Sequence, residues 1–226
     1  MLVVALDPPL GLDKNKHAVD IALEIKEYSF SYKIGLPLIL EEGPGVIREI
    51  KKSTCKPVIV DFKLADIGEV MSYTARRLVD YGADAIIAHG FVGVNGALDA
   101  LIDQFKRLGF QLILVASMTH RDSEKFIDKH YEELLKIVID YELHGVVVPA
   151  TRPWLIREAR RILGSKFKIY SPGIGVQGAE PGSAICAGAD YEIVGRLITG
   201  SESPRKAAEY VSRTQRERWV ECRGLQ

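Results

Sequence analysis

Short apolar, β-branched runs of four or five residues punctuate the chain at Leu2–Leu6, Ser31–Ile34, Val58–Phe62, Ala85–Ala88, Leu112–Ala116, Gly145–Val148, Lys168–Ser171 and Tyr191–Val194. Such runs suit strands buried on both faces. Between them, apolar positions recur at helical spacing. In Asp13–Tyr28, Val19, Ala22 and Leu23 share one side and Asp13 is placed to cap the helix. In Glu69–Tyr81, Met71, Thr74, Ala75 and Leu78 do the same. "YGAD" (81–84) and "AGAD" (187–190) read as helix ends turning through glycine into a strand. Eight strands alternating with helices at about 28 residues per unit predict an α/β fold, a (β/α)8 barrel in one domain over 1–226. A short helical tail is expected from about residue 205. An open doubly wound sheet is the competitor, but it usually has fewer strands, and no Gly-x-Gly-x-x-Gly follows the first strand here.

In such a barrel, chemistry gathers where strands end and βα-loops begin. Strand one ends at Asp7, strand two carries Lys33, and strand three gives Asp61 and Lys63, with Asp66 just beyond. If Val58–Lys63 is fully extended, Asp61 and Lys63 lie two apart and share a face. Strands four to six end in "HGF", "SMTH" and "PATRP". Strand seven leads into "SPGIGVQGAEPG", whose Gly173, Gly175, Gly178 and Gly182 allow backbone amides to approach an anion. Strand eight ends in "VGR", where Arg196 can fork onto phosphate oxygens. Loops after strands seven and eight are the usual phosphate site of a barrel.

Composition narrows the function classes. Thirty basic and thirty acidic residues cancel, so no global charge recruits nucleic acid or an anionic membrane. No apolar run approaches the ~20 residues of a membrane span, and "MLVVAL" lacks the basic start of a signal peptide. A cytoplasmic location is the default. Cys55, Cys186 and Cys222 are odd in number without CxxC spacing, so neither a disulfide framework nor a structural zinc site is expected. His89 reads as a hydrogen-bonded structural histidine and His120 as exposed. The tail, with Arg213, Arg216 and Arg218, reads as a solvated helix anchored by Trp219.

From "ALD" through "YKIG", "DFKLADI", "ADAIIAHGF", "SMTH", "TRP" and "SPGIGVQG" to "VGR", nearly the whole chain resembles the orotidine 5′-monophosphate decarboxylases, particularly their short archaeal-type members. Asp-x-Lys-x-x-Asp marks a wider superfamily that includes magnesium-dependent sugar-phosphate lyases and epimerases. Lys33 stands where those relatives carry an acid suited to metal, which points to a site without one.

The resemblance implies cofactor-independent decarboxylation of orotidine 5′-monophosphate to uridine 5′-monophosphate (UMP) and CO2, in de novo pyrimidine biosynthesis. The readings set beside it are the magnesium-dependent lyase or epimerase and a non-catalytic nucleotide-binding barrel. By the same resemblance, Lys33, Asp61, Lys63 and Asp66 form an alternating-charge network, with Asp66 reaching into the neighbouring subunit of a homodimer. Asp7 and Lys33 meet the ribose, Thr119 the pyrimidine edge, and Gln177 both base and phosphate. Arg196 holds the phosphate. Ile67, Pro172, Gly175, Val176 and Gly195 complete the implied binding set, and Ile87 and Val115 join Pro172 as apolar wall. The stretch 176–182 is the expected lid. Where family members read Asp-Ile-Pro-x-Thr, this chain has Asp66-Ile67-Gly68-Glu69-Val70 and no threonine hydroxyl. Thr119 replaces a frequent serine, and Ala150 lacks a hydroxyl that some relatives carry.

The chemistry asks for such residues. Loss of CO2 from C6 of the pyrimidine leaves a carbanion that no adjacent carbonyl can absorb, and the sequence carries no clear cofactor signature. Lys63 can place positive charge on that carbon and then deliver the proton.

Overall fold

The computed structural model describes residues 1–7 and 17–224. Eight strands, β1 (Leu2–Ala5), β2 (Ser31–Gly35), β3 (Val58–Leu64), β4 (Ala85–His89), β5 (Gln111–Val115), β6 (Gly145–Val147), β7 (Lys168–Pro172) and β8 (Tyr191–Val194), pair in parallel in chain order, and β8 returns to β1 to close a barrel. The helices are α1 (Ala18–Ile25), α2 (Leu36–Glu42), α3 (Gly45–Thr54), α4 (Gly68–Asp80), α5 (Asp99–Leu108), α6 (Tyr131–Asp140), α7 (Pro153–Leu163), α8 (Ser183–Ala187), α9 (Arg196–Thr199) and α10 (Pro204–Gly224). The sequence-predicted strands all occur, shifted by at most two residues at an end. The proposed cap Asp13 lies outside the described residues.

Strand alternation divides the apolar residues into two layers. Val3, Ile59, Ile87, Ile113, Val147 and Ile193 fill the barrel interior. Val4, Ile34, Val60, Ile86, Leu114 and Val146 face outward onto the helices. Ile86 is fully buried in that outer layer, and truncating such a residue to alanine costs about 2–5 kcal/mol. Ser31 is a buried polar residue level with Val3 in the interior layer, and the charged side chains gather at that layer's carboxyl end. Lys33 and Asp61 take inward positions above it, at the carboxyl ends of β2 and β3.

One expectation changes here. Cys186 on α8 and Cys222 on α10 form a disulfide across 36 residues, with Cα atoms 5.6 Å apart, and Cys55 is free. Spacing along the sequence could not reveal this pair, because the fold-back of α10 onto α8 creates it. In α10, Pro204, Ala208, Val211 and Gln215 are buried, and Trp219 is 39% exposed. Among the described residues, no helix is long and apolar enough to cross a membrane.

Candidate active site

Asp61 lies between two lysines. Lys63 Nζ donates to both its carboxylate oxygens at 3.0 and 2.9 Å, and Lys33 Nζ is 3.2 Å from Oδ2. Lys33 also donates to Asp7 Oδ2 at 2.8 Å. The Asp61 and Lys33 side chains are only 8% and 10% exposed, so each requires the other. Burial favours a neutral Asp61, but the ammonium groups of Lys33 and Lys63 outweigh it and hold the pKa below the ordinary aspartate value. Burial likewise works against a charged Lys33, and Asp61 and Asp7 together hold its pKa above the ordinary lysine value. The arrangement is a chain of alternating charge, Asp7–Lys33–Asp61–Lys63, fixed before any ligand arrives.

Asp61 and Lys63 do share the site, but not by simple extension. Lys63 has φ +48°, in the left-handed region, and the β3–β4 register shifts between Asp61 and Leu64. A non-glycine residue there costs about 1–3 kcal/mol and persists only where its surroundings enforce it. The bulge swings the Lys63 side chain back over Asp61.

Asp7 is oriented from below. Its Oδ1 accepts the Gly35 N–H at 2.8 Å, and a Cβ on residue 35 would overlap the carboxylate. Gly35 was legible in "YKIG" only as part of a motif; the close approach is what demands glycine there.

The network opens into a cavity of about 910 Å³ at the barrel mouth, whose lining includes Asp7, Pro172, Val176, Gln177, Gly195 and Arg196. A smaller lobe of about 100 Å³ continues inward between Lys63, Ile87, Val115, Thr119 and Pro172. One side of the space is therefore charged, one apolar, and one made of loop backbone. Gly173, Gly175, Gly178 and Gly182 all have positive φ, which lets the loop fold tightly. Gly175 N donates to Ala179 O at 2.7 Å and Gly178 N to Gly175 O at 2.8 Å. Gly175 itself packs against Leu197 rather than lining the cavity. Gln177 Nε2 donates to Thr119 Oγ1 at 3.1 Å, joining this loop to the one after β5 across the mouth.

Sequence reasoning gave Arg152 no role. It is 5% exposed and donates to Ser117 Oγ at 3.2 Å, Asp128 Oδ2 at 2.5 Å and His120 O at 3.0 Å. Ser123 Oγ extends the lattice, accepting Met118 N–H at 3.1 Å and donating to Asp128 at 2.7 Å. Together these bonds fix the loop that carries Thr119. The "TRP" motif showed where Arg152 lies, but its partners lie 24 to 35 residues away and only the fold unites them.

Within the chain, Asp66 and Ile67 stand apart from this assembly. Asp66 is exposed and accepts the Ile67 N–H at 2.7 Å, and Ile67 is 61% exposed. His89 is buried at the end of β4 with its ring against Phe91, but its Nδ1 has no hydrogen-bond partner among the described residues, contrary to the expected bonded histidine. Burial, followed by the nearby charge of Lys63, pushes its pKa down to about 4. His120 is exposed, as expected.

Known proteins share this arrangement of chain and fold. The family described as "Orotidine 5'-phosphate decarboxylase / HUMPS family" matches residues 1–211. The orotidine 5'-phosphate decarboxylase of Pyrococcus furiosus is 39% identical over 211 residues, covering 93% of this chain and 95% of that protein. Its namesake in Aeropyrum pernix is 41% identical over 219 residues, covering 93% and 88%. Among solved structures, orotidine 5'-phosphate decarboxylase from Pyrococcus horikoshii OT3 superposes with TM-score 0.84 at 37% identity, covering 96% of this chain and 99% of that one. The Methanocaldococcus jannaschii enzyme complexed with the inhibitor BMP gives TM-score 0.87 at 33% identity, covering 95% and 97%.

Proposed function

The chain belongs to the orotidine 5'-phosphate decarboxylase / HUMPS family, and from that membership we propose that it decarboxylates orotidine 5′-monophosphate to UMP and CO2 in pyrimidine biosynthesis. The observation that carries this reading is Asp61 buried between the ammonium groups of Lys33 and Lys63 at the inner end of a nucleotide-sized cavity.

The substrate's phosphate takes the loop amides of Val176 and Gln177 together with Arg196. Its ribose hydroxyls meet Asp7 and Lys33. The pyrimidine edge faces Thr119 and Gln177, which are already bonded to each other across the mouth. The C6 carboxylate then enters the small lobe beside Lys63, against Ile87, Val115 and Pro172. Asp61 disfavours that carboxylate electrostatically, and the remote phosphate contacts hold it there nonetheless. The C6–carboxylate bond breaks, CO2 departs along the apolar wall, and the electron pair stays on C6. The Lys63 ammonium stabilises that pair and donates a proton to C6. At 37% exposure the resulting amine has access to water for reprotonation, whereas Lys33 at 10% does not and keeps an orienting role.

The Lys33 ammonium lies against both Asp7 and Asp61, filling the place where a cation bridging these carboxylates would sit. This supports a reaction that needs no metal ion bridging these two carboxylates.

We also propose that the working unit is a homodimer in which Asp66 completes the charge network beside the partner's Lys63. Ile67, Val70, Tyr73 and Phe91 are 61%, 45%, 68% and 56% exposed around the β3–α4 and β4 loops, an apolar face suited to a second copy. Incubation with orotidine 5′-monophosphate tests the activity: equimolar UMP and CO2 support it, and unchanged substrate rejects it.

A further inference from the structure

Glu192 is a fully buried carboxylate on the outward face of β8, away from the catalytic mouth. Its Oε2 accepts the Gly182 N–H at 2.8 Å and the Gln215 Nε2–H at 2.9 Å, and its Oε1 accepts the Ala184 N–H at 2.9 Å. A buried carboxyl group so fully hydrogen-bonded fixes whatever donates to it. Here the donors are the downstream end of the glycine loop and the C-terminal helix.

Three further contacts converge on the same place. Arg218 of α10 pairs with Glu180 inside the loop. Gly182, at φ +85°, lies so close to α10 that a Cβ would fall 2.7 Å from Arg218 Cδ. The Cys186–Cys222 disulfide closes the contact covalently. Upstream, the loop grows directly from β7, so its second anchor is this one. Glu192 also lies on β8, which leads directly into Gly195 and Arg196 at the start of α9, and so links the two halves of the phosphate grip.

We propose that Glu192 and the C-terminal helix α10 are positioning elements for phosphate recognition, holding residues 173–182 in register with Arg196. They touch no reacting atom. Their effect reaches the substrate through the loop backbone, where a misplacement of about 1 Å is enough to lose much of the binding. The inference deepens the proposed nucleotide site, and only its ligand readout rests on that reading.

The test compares wild-type protein with Glu192→Gln and with Cys222→Ser. Hydrogen exchange over peptides within 173–187 reads the anchor without any ligand, and titration with UMP and uridine reads its consequence. In Glu192→Gln, exchange in that segment should rise about tenfold or more. UMP affinity should fall about tenfold while uridine affinity stays within about twofold, with the loss in turnover appearing in KM rather than kcat. Cys222→Ser should shift the same quantities in the same direction. If Glu192→Gln does not fold, Gln215→Ala removes a single donor and carries the same comparison. Unchanged exchange, or equal weakening of UMP and uridine, overturns the proposal. A wild-type protein inert towards orotidine 5′-monophosphate would instead reject the proposed function, and exchange would still decide the anchor.

Discussion

The Lys63 ammonium grips both oxygens of Asp61 at 2.9–3.0 Å, from a residue whose own backbone is held in the left-handed region. That combination places a proton donor over a carboxylate that cannot itself donate. Lys63→Ala should lower turnover at least about 10⁴-fold, since electrostatic stabilisation and proton delivery are both removed. UMP binding should change little, because the phosphate loop and Asp7 do not depend on Lys63. Single-turnover kinetics beside a UMP titration check this, and a near-wild-type rate would remove Lys63 from the role.

Shared sites make a separate prediction. Lys63→Ala and Asp66→Ala proteins should each be nearly inactive, yet mixing them with subunit exchange should restore about a quarter of the wild-type activity, since half the dimers would carry one intact site. A mixture that stays dead despite exchange demonstrated by native mass spectrometry would place Asp66 outside the partner's site.

His89 offers a test by pH. Its folded pKa of about 4 lies below the ordinary 6.5, so the native state resists taking up the proton that the unfolded chain accepts. Its contribution to stability is full above about pH 6.5 and is lost as pH falls toward 4. Imidazole ¹⁵N shifts should show titration near the lower value. Because burial is the larger cause and Lys63 the second, Lys63→Ala should move the midpoint up without restoring 6.5. Titration near 6.5 in the wild type would contradict the buried placement.

The Cys186–Cys222 bridge closes a 36-residue separation, and in a chain-entropy account such a loop contributes about 4 kcal/mol. Dithiothreitol or Cys222→Ser should therefore lower the thermal midpoint measurably by calorimetry. An identical midpoint would mean that the packing of α10 alone holds the tail.

The barrel was legible because its signal is local: each strand is a short apolar run between glycine-marked turns, repeated eight times. Asp7, Lys33, Asp61, Lys63, Gln177 and Arg196 were legible for a related reason, lying where those runs end, which the fold turns into one rim. What escaped depends on distance or on backbone. Strand periodicity assumed an extended Lys63, whereas the chain reaches the same contact through a bulge at positive φ. Gly35 matters for the Asp7 oxygen above it, and Arg152 for acceptors on the distant β5–α6 connection. The disulfide and the Glu192 anchor require α10 folded against α8, a relation with no periodic trace in the sequence. Asp66 sits at the expected place in the chain, and its proposed partner is in a second copy.

The most direct measurement is the ultraviolet absorbance of orotidine 5′-monophosphate mixed with purified protein in excess chelator. The account predicts loss of the orotate band with one CO2 released per UMP formed. A stable band, with turnover appearing only when magnesium and a keto-sugar phosphate are supplied, would contradict it.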